Sequence, residues 1–332
     1  MTRAEFAAAI REKYMLNQDI AEIDRIETYD ALFHTGSKLI EYFNSHDEIL
    51  ISVSGGSDSD CIVHLICTYF QEFLEKCHFC FVNTGLEYSA TKSHLDDLEK
   101  RYNIKIDRIR GKSVVYVVKR YGVPILSKMK SEMIRKYVAG QKWAERYIFT
   151  DVVKSYKAMQ FNENQRSLAR YIKENGIKIS AKCCDYSKKK PLTKYSKEHN
   201  IDLNVTGERK AEGGQRALAH KSCFESSKRR IDKYMPLWWW SDSVKRIFKQ
   251  TEDIRYSDCY EVYGMRRTGC VGCPFNIRIG DDLKIMQISE PRLYKACMNV
   301  FGEAYRLTDE FHARARKCIP DDVQESLFII EE

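Results

Sequence analysis

The chain has 332 residues, a net charge of +8, 43% apolar and 31% charged side chains, a balance that suits a globular protein of one large domain or two modest ones. No apolar run reaches membrane-spanning length and the mixed-charge stretch from Met1 to Tyr14 has no signal-peptide core, so a cytoplasmic protein with no membrane partner is expected. Twelve cysteines in a reducing compartment argue for metal, cluster or redox chemistry before a disulfide framework, and the positive charge permits nucleotide or nucleic-acid partners without requiring them.

Residues 1–46 read as a helical extension, because Ala4–Tyr14 and Thr28–Phe43 place apolar residues at three- and four-residue spacings. From Glu48 the pattern alternates. Strands are expected at Ile49–Val53, His78–Val82, Lys105–Ile109 and Asp202–Thr206, with helices between them, which predicts a parallel α/β sheet with ligands at its carboxyl edge. The first strand runs into Ser54-Gly55-Gly56-Ser57-Asp58-Ser59, and an apolar helix follows from Cys61 to Phe70. Glycines let backbone N–H groups converge on an anion, the helix start adds its dipole, the serines offer hydroxyls, and Asp58 is placed to hold the turn or a metal. An ordinary strand-to-helix turn has the same composition. The second strand ends in a polar turn, Asn83-Thr84-Gly85.

A basic, tyrosine-rich helical insertion occupies about 112–180 within an α/β domain expected over 47–220, and 221–332 is expected as a third region. Its lysines and arginines are interleaved with Tyr137, Trp143, Tyr147 and Tyr156, a composition that can meet phosphates and stack on bases. Amphipathic helices with solvated lysines explain it as well, and that plainer reading is preferred. Two cysteine pairs follow. Cys183 and Cys184 are adjacent, and Cys270 and Cys273 form a glycine-flanked Cys-x-x-Cys before Pro274. Such a turn can wrap zinc or one corner of an iron–sulfur cluster. Adjacent side chains diverge, which disfavours one zinc ion and suits a [4Fe–4S] cube with separate irons.

Ser-Gly-Gly-x-Asp-Ser after a buried strand resembles the PP-loop of the ATP-pyrophosphatase superfamily, which includes the phosphoadenosine phosphosulfate reductase family. It is neither a Walker A loop nor a Rossmann fingerprint. The tandem Cys183-Cys184 with lysines and Pro191-Leu192 behind it, the later Cys-x-x-Cys, Gly207-Glu208-Arg209 with Arg216, and Pro236-Leu237-Trp238 are similar to that family's motifs, in its order, from about Glu48 to Phe275. The resemblance implies a doubly wound sheet of the adenine-nucleotide α-hydrolase type with a C-terminal iron–sulfur region. It implies that Ser54, Gly55, Gly56, Ser57, Asp58 and Ser59 hold phosphate or sulfate, that Asn83, Thr84 and Gly85 border the nucleotide, and that Gly207, Arg209 and Arg216 contact its anionic tail. Cys183, Cys184, Cys270 and Cys273 would carry the [4Fe–4S] cluster, with Lys182 balancing thiolate charge or meeting the sulfur-bearing group. Asp58, Lys182 and Arg209 are thereby the expected catalytic residues.

The chain departs from thioredoxin-dependent reductases of the family in lacking their Glu-Cys-Gly-Leu-His segment. Cys318 lies in a different context, and Cys223, beside Lys221, Lys228, Arg229 and Arg230, is the other candidate for a reactive thiol. The expectation therefore moves to relatives that activate a substrate with ATP, such as the subunit of DNA phosphorothioation systems, and to sulfur transfer to an acceptor, nucleic acid included. ATP, Mg²⁺ and a sulfur donor such as a cysteine desulfurase are the implied companions. A sulfonucleotide reductase (APS or PAPS as ligand) with a relocated nucleophile, and a non-catalytic nucleotide- or nucleic-acid-binding component, stand as alternatives. Cys61, Cys67, Cys77, Cys80, Cys297 and, on its plainer reading, Cys318 read as small buried hydrophobes.

Overall fold

A computed structural model of the chain describes residues 1–150, 160–213, 220–227, 231–321 and 323. Its contacts divide it discontinuously, not at the linear boundaries the sequence suggests. One compact unit takes Met1–Phe81, Ala90–Ile109 and Thr193–Val262, and the other takes Val82–Ser89, Arg110–Leu192 and Tyr263–Glu332.

The first unit is built on a six-stranded sheet. Its strands are β1 (Ile49–Ser52), β2 (Cys77–Asn83), β3 (Ile106–Arg110), β4 (Leu203–Val205), β5 (Phe224–Glu225) and β6 (Asp232–Tyr234). The order is β3-β2-β1-β4-β6-β5. β1 pairs in parallel with both neighbours, Ile51 lying opposite Phe79 and Val205, β4 pairs in parallel with β6, and β5 is antiparallel to β6. Ile49, Leu50 and Ile51 are buried, which is why this strand reads as an unbroken apolar run. The chain winds outward from β1 on one side and returns to β4 on the other, so the loop after β1 stands at the point where strand order reverses. The expected strands are all present; β5 and β6 are additional.

The N-terminal helices Arg3–Ile10 and Glu22–Ser45 belong to this unit's core rather than extending from it. Phe6, Ile10, Leu32, Leu39 and Phe43 join the strand residues in one buried cluster. Thr35 ties the long helix down, accepting from Trp240 Nε1 at 2.9 Å and donating to the Pro236 carbonyl at 3.0 Å. A second tie is the buried carboxylate of Glu252, which receives Tyr14 at 2.5 Å, Lys13 at 2.6 Å, Tyr69 at 2.7 Å and His64 at 3.0 Å.

The second unit is helical over the described part of the insertion, with helices Val114–Tyr121, Lys128–Val138, Lys142–Phe149 and Glu163–Glu174. Ser127 and Asn162 cap the second and fourth by accepting backbone N–H groups of Lys130 and Gln165. Ile134, Ala144, Ile148, Leu168, Ala169 and Ile172 are buried while Lys128, Lys142 and Lys173 are exposed, as the amphipathic reading expects, although Lys130 is buried. Tyr156 lies outside the described residues. Among the described residues no helix is long and apolar enough to cross a membrane.

Candidate functional site: a serine–glycine loop and a four-thiol cavity

In the first unit, Ser54 to Ser59 join β1 to helix Ser57–Tyr69. Gly55 takes φ +66°, where a side chain would be strained and its Cβ would meet Thr91 Cγ2 at 2.7 Å. Ser59 Oγ donates to the Gly56 carbonyl at 2.7 Å and receives Ser54 Oγ–H at 3.2 Å, so the loop is closed on itself by hydroxyls. No side chain caps the helix at Gly56. The Tyr260 hydroxyl accepts from Ser57 N at 3.3 Å, and the start of this helix carries the amide donors and dipole that attract an anion. Gly207, after β4, lies against the loop: a Cβ there would be 3.0 Å from Ser59 N.

Asp58 holds this arrangement. Its Oδ1 receives Arg209 Nε at 2.9 Å and stands 2.8 Å from Lys245 Nζ, which also donates to Ser57 Oγ at 2.5 Å. Arg209 is buried, and its other nitrogens go to Asp242 Oδ1 at 2.8 Å and the Trp240 carbonyl at 3.3 Å. Burial opposes its charge, while Asp58 and Asp242 raise the guanidinium's pKa further. The geometry thus gives Arg209 a bracing role through Asp58, where the sequence suggested a free fork for an anionic tail. Arg216 lies outside the described residues. Lys245 was not singled out in the sequence; a basic residue three positions after Asp242 in a helix opening behind Trp240-Ser241 is its only local signal.

In the second unit, Cys183, Cys184, Cys270 and Cys273 line one cavity with an empty volume of about 340 Å³. The two segments are far apart in sequence, and two residues outside them hold the Cys-x-x-Cys turn. Tyr305 donates its hydroxyl to the Gly272 carbonyl, and Arg314 donates to the carbonyls of Pro274 and Leu126 and, at 3.2 Å, of Asn276. Among the described residues no three His, Cys, Asp or Glu side chains form a group that could hold a metal ion. The four thiols surround an opening instead.

The chemistry of that opening is specific. A hydrogen bond between the adjacent thiols lowers the pKa of Cys184 and raises that of Cys183, and burial pushes Cys273 up to about 12. Lys188 also lines the cavity. Burial opposes its charge, but the charge of Cys270 and a hydrogen bond to its sulfur outweigh burial and raise the ammonium's pKa. Ser187, buried beside it, has a hydroxyl with no partner among the described residues. Lys182, expected at the thiols, has its Nζ 4.7 Å from the Tyr121 ring centroid; the ammonium found in the cavity is that of Lys188. Lys188 follows Cys184 by four residues, the spacing that puts two side chains on one helical face.

Asn83, Thr84 and Gly85 form a closed turn in the same unit. Gly85 N donates to Asn83 Oδ1 at 2.8 Å, and the Thr84 hydroxyl donates to Glu87 Oε1 at 2.7 Å. Thr84 also lines the thiol cavity. All twelve cysteines are free thiols. Cys223 departs from expectation: it is buried, and burial raises its pKa where neighbouring cations were expected to lower it. Of those cations, Lys228, Arg229 and Arg230 lie outside the described residues.

A mostly parallel sheet, doubly wound around a central strand that ends in this loop, defines an adenine-nucleotide α-hydrolase type of fold. The chain belongs to the phosphoadenosine phosphosulfate reductase family: the family's domain, described as a phosphoadenosine phosphosulfate reductase domain, matches residues 48–142 and 137–276. It is 26% identical over 257 residues to an uncharacterised protein of Methanocaldococcus jannaschii, covering 77% of this chain and 42% of that one. It is 24% identical over 127 residues to the adenosine 5'-phosphosulfate reductase of Neisseria meningitidis, covering 38% of this chain and 49% of that one. The chain thus spans less than half of either relative's length. A phosphoadenylyl-sulfate reductase structure from Candida auris, in complex with phosphate, aligns with TM-score 0.44 and 13% identity over 71% of this chain and 87% of that one.

Proposed function

We propose that the protein is an ATP-dependent nucleotide-activating or sulfur-transfer enzyme that holds a [4Fe–4S] cluster on Cys183, Cys184, Cys270 and Cys273. The observation that carries this reading is the cavity itself, where four thiols from two distant segments meet the half-buried Lys188 and a hydroxyl with no partner among the described residues. The residues suit a cluster better than one ion, because its irons are spread over a cube and the thiolates need not converge on a point. When bound, the cluster would supply an electropositive site for sulfur. Lys188 offsets thiolate charge, and Ser187 has a hydroxyl available to a sulfur or oxygen lone pair.

At the serine–glycine loop, the amides of the helix start and the Ser57 hydroxyl bind the pyrophosphate of ATP, while the hydroxyls of Ser54 and Ser59 keep the loop closed. Arg209 and Lys245 fix Asp58 and with it the loop's shape. Mg²⁺ would arrive on the nucleotide's phosphates, since Asp58 already faces two cations. An acceptor oxygen attacks the α-phosphorus, the bond to the bridging oxygen breaks, and pyrophosphate leaves. A sulfur nucleophile from a donor then displaces AMP from the acceptor, for which nucleic acid is the proposed class. The loop's part is positioning and charge stabilisation.

Similarity to an adenosine 5'-phosphosulfate reductase supports sulfonucleotide reduction as a second reading. That chemistry needs a nucleophilic cysteine beyond the cavity, and Cys318, whose pKa burial pushes up to about 12, and Cys223 are both buried. The deciding assay offers ATP and the sulfonucleotides separately, with single-stranded nucleic acid present as acceptor, to anaerobic, cluster-loaded protein and follows pyrophosphate, AMP and sulfite. Pyrophosphate from ATP is expected. Sulfite from a sulfonucleotide would establish the second reading, and nucleotide binding without any turnover would leave only a binding role.

A further inference from the structure

We infer that an open groove in the second unit, between helix Val114–Tyr121, the end of helix Lys128–Val138 and the segment Gly176–Lys182, is a docking surface for single-stranded nucleic acid. This deepens the reading above by assigning the acceptor's binding face, and it rests on that reading only for the chemistry that follows binding.

The groove has an empty volume of about 720 Å³ and is lined by Arg120, Arg135, Lys178 and Lys182, with Tyr121 among them. No carboxylate is among the described residues that line it. Arg135 is already paired with Glu132 at 2.6 Å, so Arg120, Lys178 and Lys182 are the cations left for a ligand. Arg120 and Lys178 are exposed. Folding does not need like charges gathered here, whereas a polyanion does.

Aromatic rings adjoin the cations. Tyr121 is stacked on Tyr186 with ring centroids 5.0 Å apart and planes inclined by 14°. Lys182 sits 4.7 Å over the Tyr121 ring, and Lys190 sits 3.9 Å over Tyr186. Lys112 lies near both Tyr186 and the exposed Tyr116. Flexible ammoniums held on ring faces can yield the face to a base and take the neighbouring phosphate, which is how single strands are bound without sequence readout. Duplexes hide their base faces, so the surface selects single strands. One short segment serves both places: Cys183 and Cys184 line the thiol cavity, while Lys182 and Tyr186 beside them in sequence belong to the cationic, aromatic face.

The test measures fluorescence anisotropy of labelled single-stranded RNA, single-stranded DNA and duplex DNA with the full chain over a salt series. Arg120→Glu with Lys178→Glu is expected to weaken single-strand binding at least tenfold. It should also flatten the salt dependence of log K by about 1.4, at about 0.7 per single-strand phosphate contact. Tyr121→Ala should cost about tenfold, while Lys100→Glu, half the double variant's charge change at an exposed position of a helix in the first unit, should cost less than twofold. Single-strand binding of RNA, DNA or both with this pattern supports the groove and identifies the source of the phosphates. Unchanged affinity in the double variant, an equal loss in Lys100→Glu, or duplex bound as tightly as single strands would overturn it. Pyrophosphate release from ATP with the single-stranded oligonucleotides present is read in parallel. Its absence in the unaltered protein defeats the proposed activity, while the groove is still judged by anisotropy alone.

Discussion

The serine–glycine loop and the four-thiol cavity are opposite kinds of site. Around the loop the charged groups are already matched. Asp58 faces Arg209 and Lys245, Arg209 spends all three nitrogens on the protein, and Ser59 closes the turn. In the cavity little is matched: two adjacent thiols compete for one proton, Lys188 leans on Cys270, and the Ser187 hydroxyl has no partner among the described residues. A site that binds and releases a nucleotide each cycle must keep its shape when empty, which preorganised ion pairs achieve. A site that takes up a permanent group can leave its groups unsatisfied until that group arrives. On the proposed function, this difference in finish is the one expected between a substrate site and a cofactor site.

The largest effect should come from taking a ligand out of the unfinished region. Cys270→Ser is expected to drop the iron of anaerobically purified protein from about four per chain to below one, with loss of the brown colour. Full iron loading in Cys270→Ser, or stoichiometric zinc and no iron in the unaltered protein, would undo the contrast from the cavity side. Next comes Asp58→Ala, which releases both Arg209 and Lys245 from the loop. Pyrophosphate release should fall about a hundredfold with iron content unchanged, and Arg209→Lys should fall about tenfold, since a lysine cannot bridge Asp58, Asp242 and the Trp240 carbonyl together. Loss of iron in Asp58→Ala would mean that the two regions are not separable.

Glu252 sharpens the comparison because its network is as complete as the loop's but has no place for a ligand. Burial alone would raise its pKa; hydrogen bonds from His64, Lys13, Tyr14 and Tyr69 outweigh that and hold it at about 2, against an ordinary value of 4.5. A depressed carboxylate pKa gives stability that is fully present above the ordinary value and is lost as pH falls toward 2. Glu252→Gln should therefore cost on the order of 3 kcal/mol at pH 7, a cost that shrinks between about pH 5 and pH 2. Pyrophosphate release per folded molecule should stay within twofold. Chemical denaturation at a series of pH values reads the first effect, and an equal cost at pH 7 and pH 3 would disprove the linkage.

How far these regions could be read in advance follows from where their information lies. The strands from Ile49, His78, Lys105 and Asp202 were legible from the alternation of strand and helix patterns, and only the first of them also as an apolar run buried on both faces. β5 and β6 were not, being two and three residues long and mostly polar. The N-terminal helices were legible as helices, but their share in the sheet's core was not, since periodicity shows a buried face without showing what covers it. The Cys pairs stood out by spacing. Lys188 and Lys245 did not, in a chain with 55 lysines and arginines, because only tertiary structure separates a lysine at a thiol or carboxylate from one in solvent. Arg209 was legible as a site residue, but its bracing of Asp58 depends on Asp242 and Trp240, contributed by another segment.

The smallest expected effect belongs to Cys318, and it tests whether the thiols outside the cavity take any part. Its backbone N–H donates to Asp309 Oδ1 at 2.6 Å, and its side chain is 1% exposed. Burial raises the thiol's pKa to about 12, with nearby Arg314 offsetting only part of that, so almost none is thiolate at neutral pH. A nucleophile for a sulfonucleotide would need both exposure and a thiolate, and this residue has neither. Cys318→Ser replaces a buried sulfur with a hydroxyl, which should lower the melting temperature by a few degrees at most. Pyrophosphate release from ATP should be unchanged, and no sulfite should appear from a sulfonucleotide with either form of the protein. Sulfite made by the unaltered protein and abolished by Cys318→Ser would show that the segment around Cys318 opens to present a reactive thiolate, and the chain would then be a reductase whose nucleophile is hidden in its closed form.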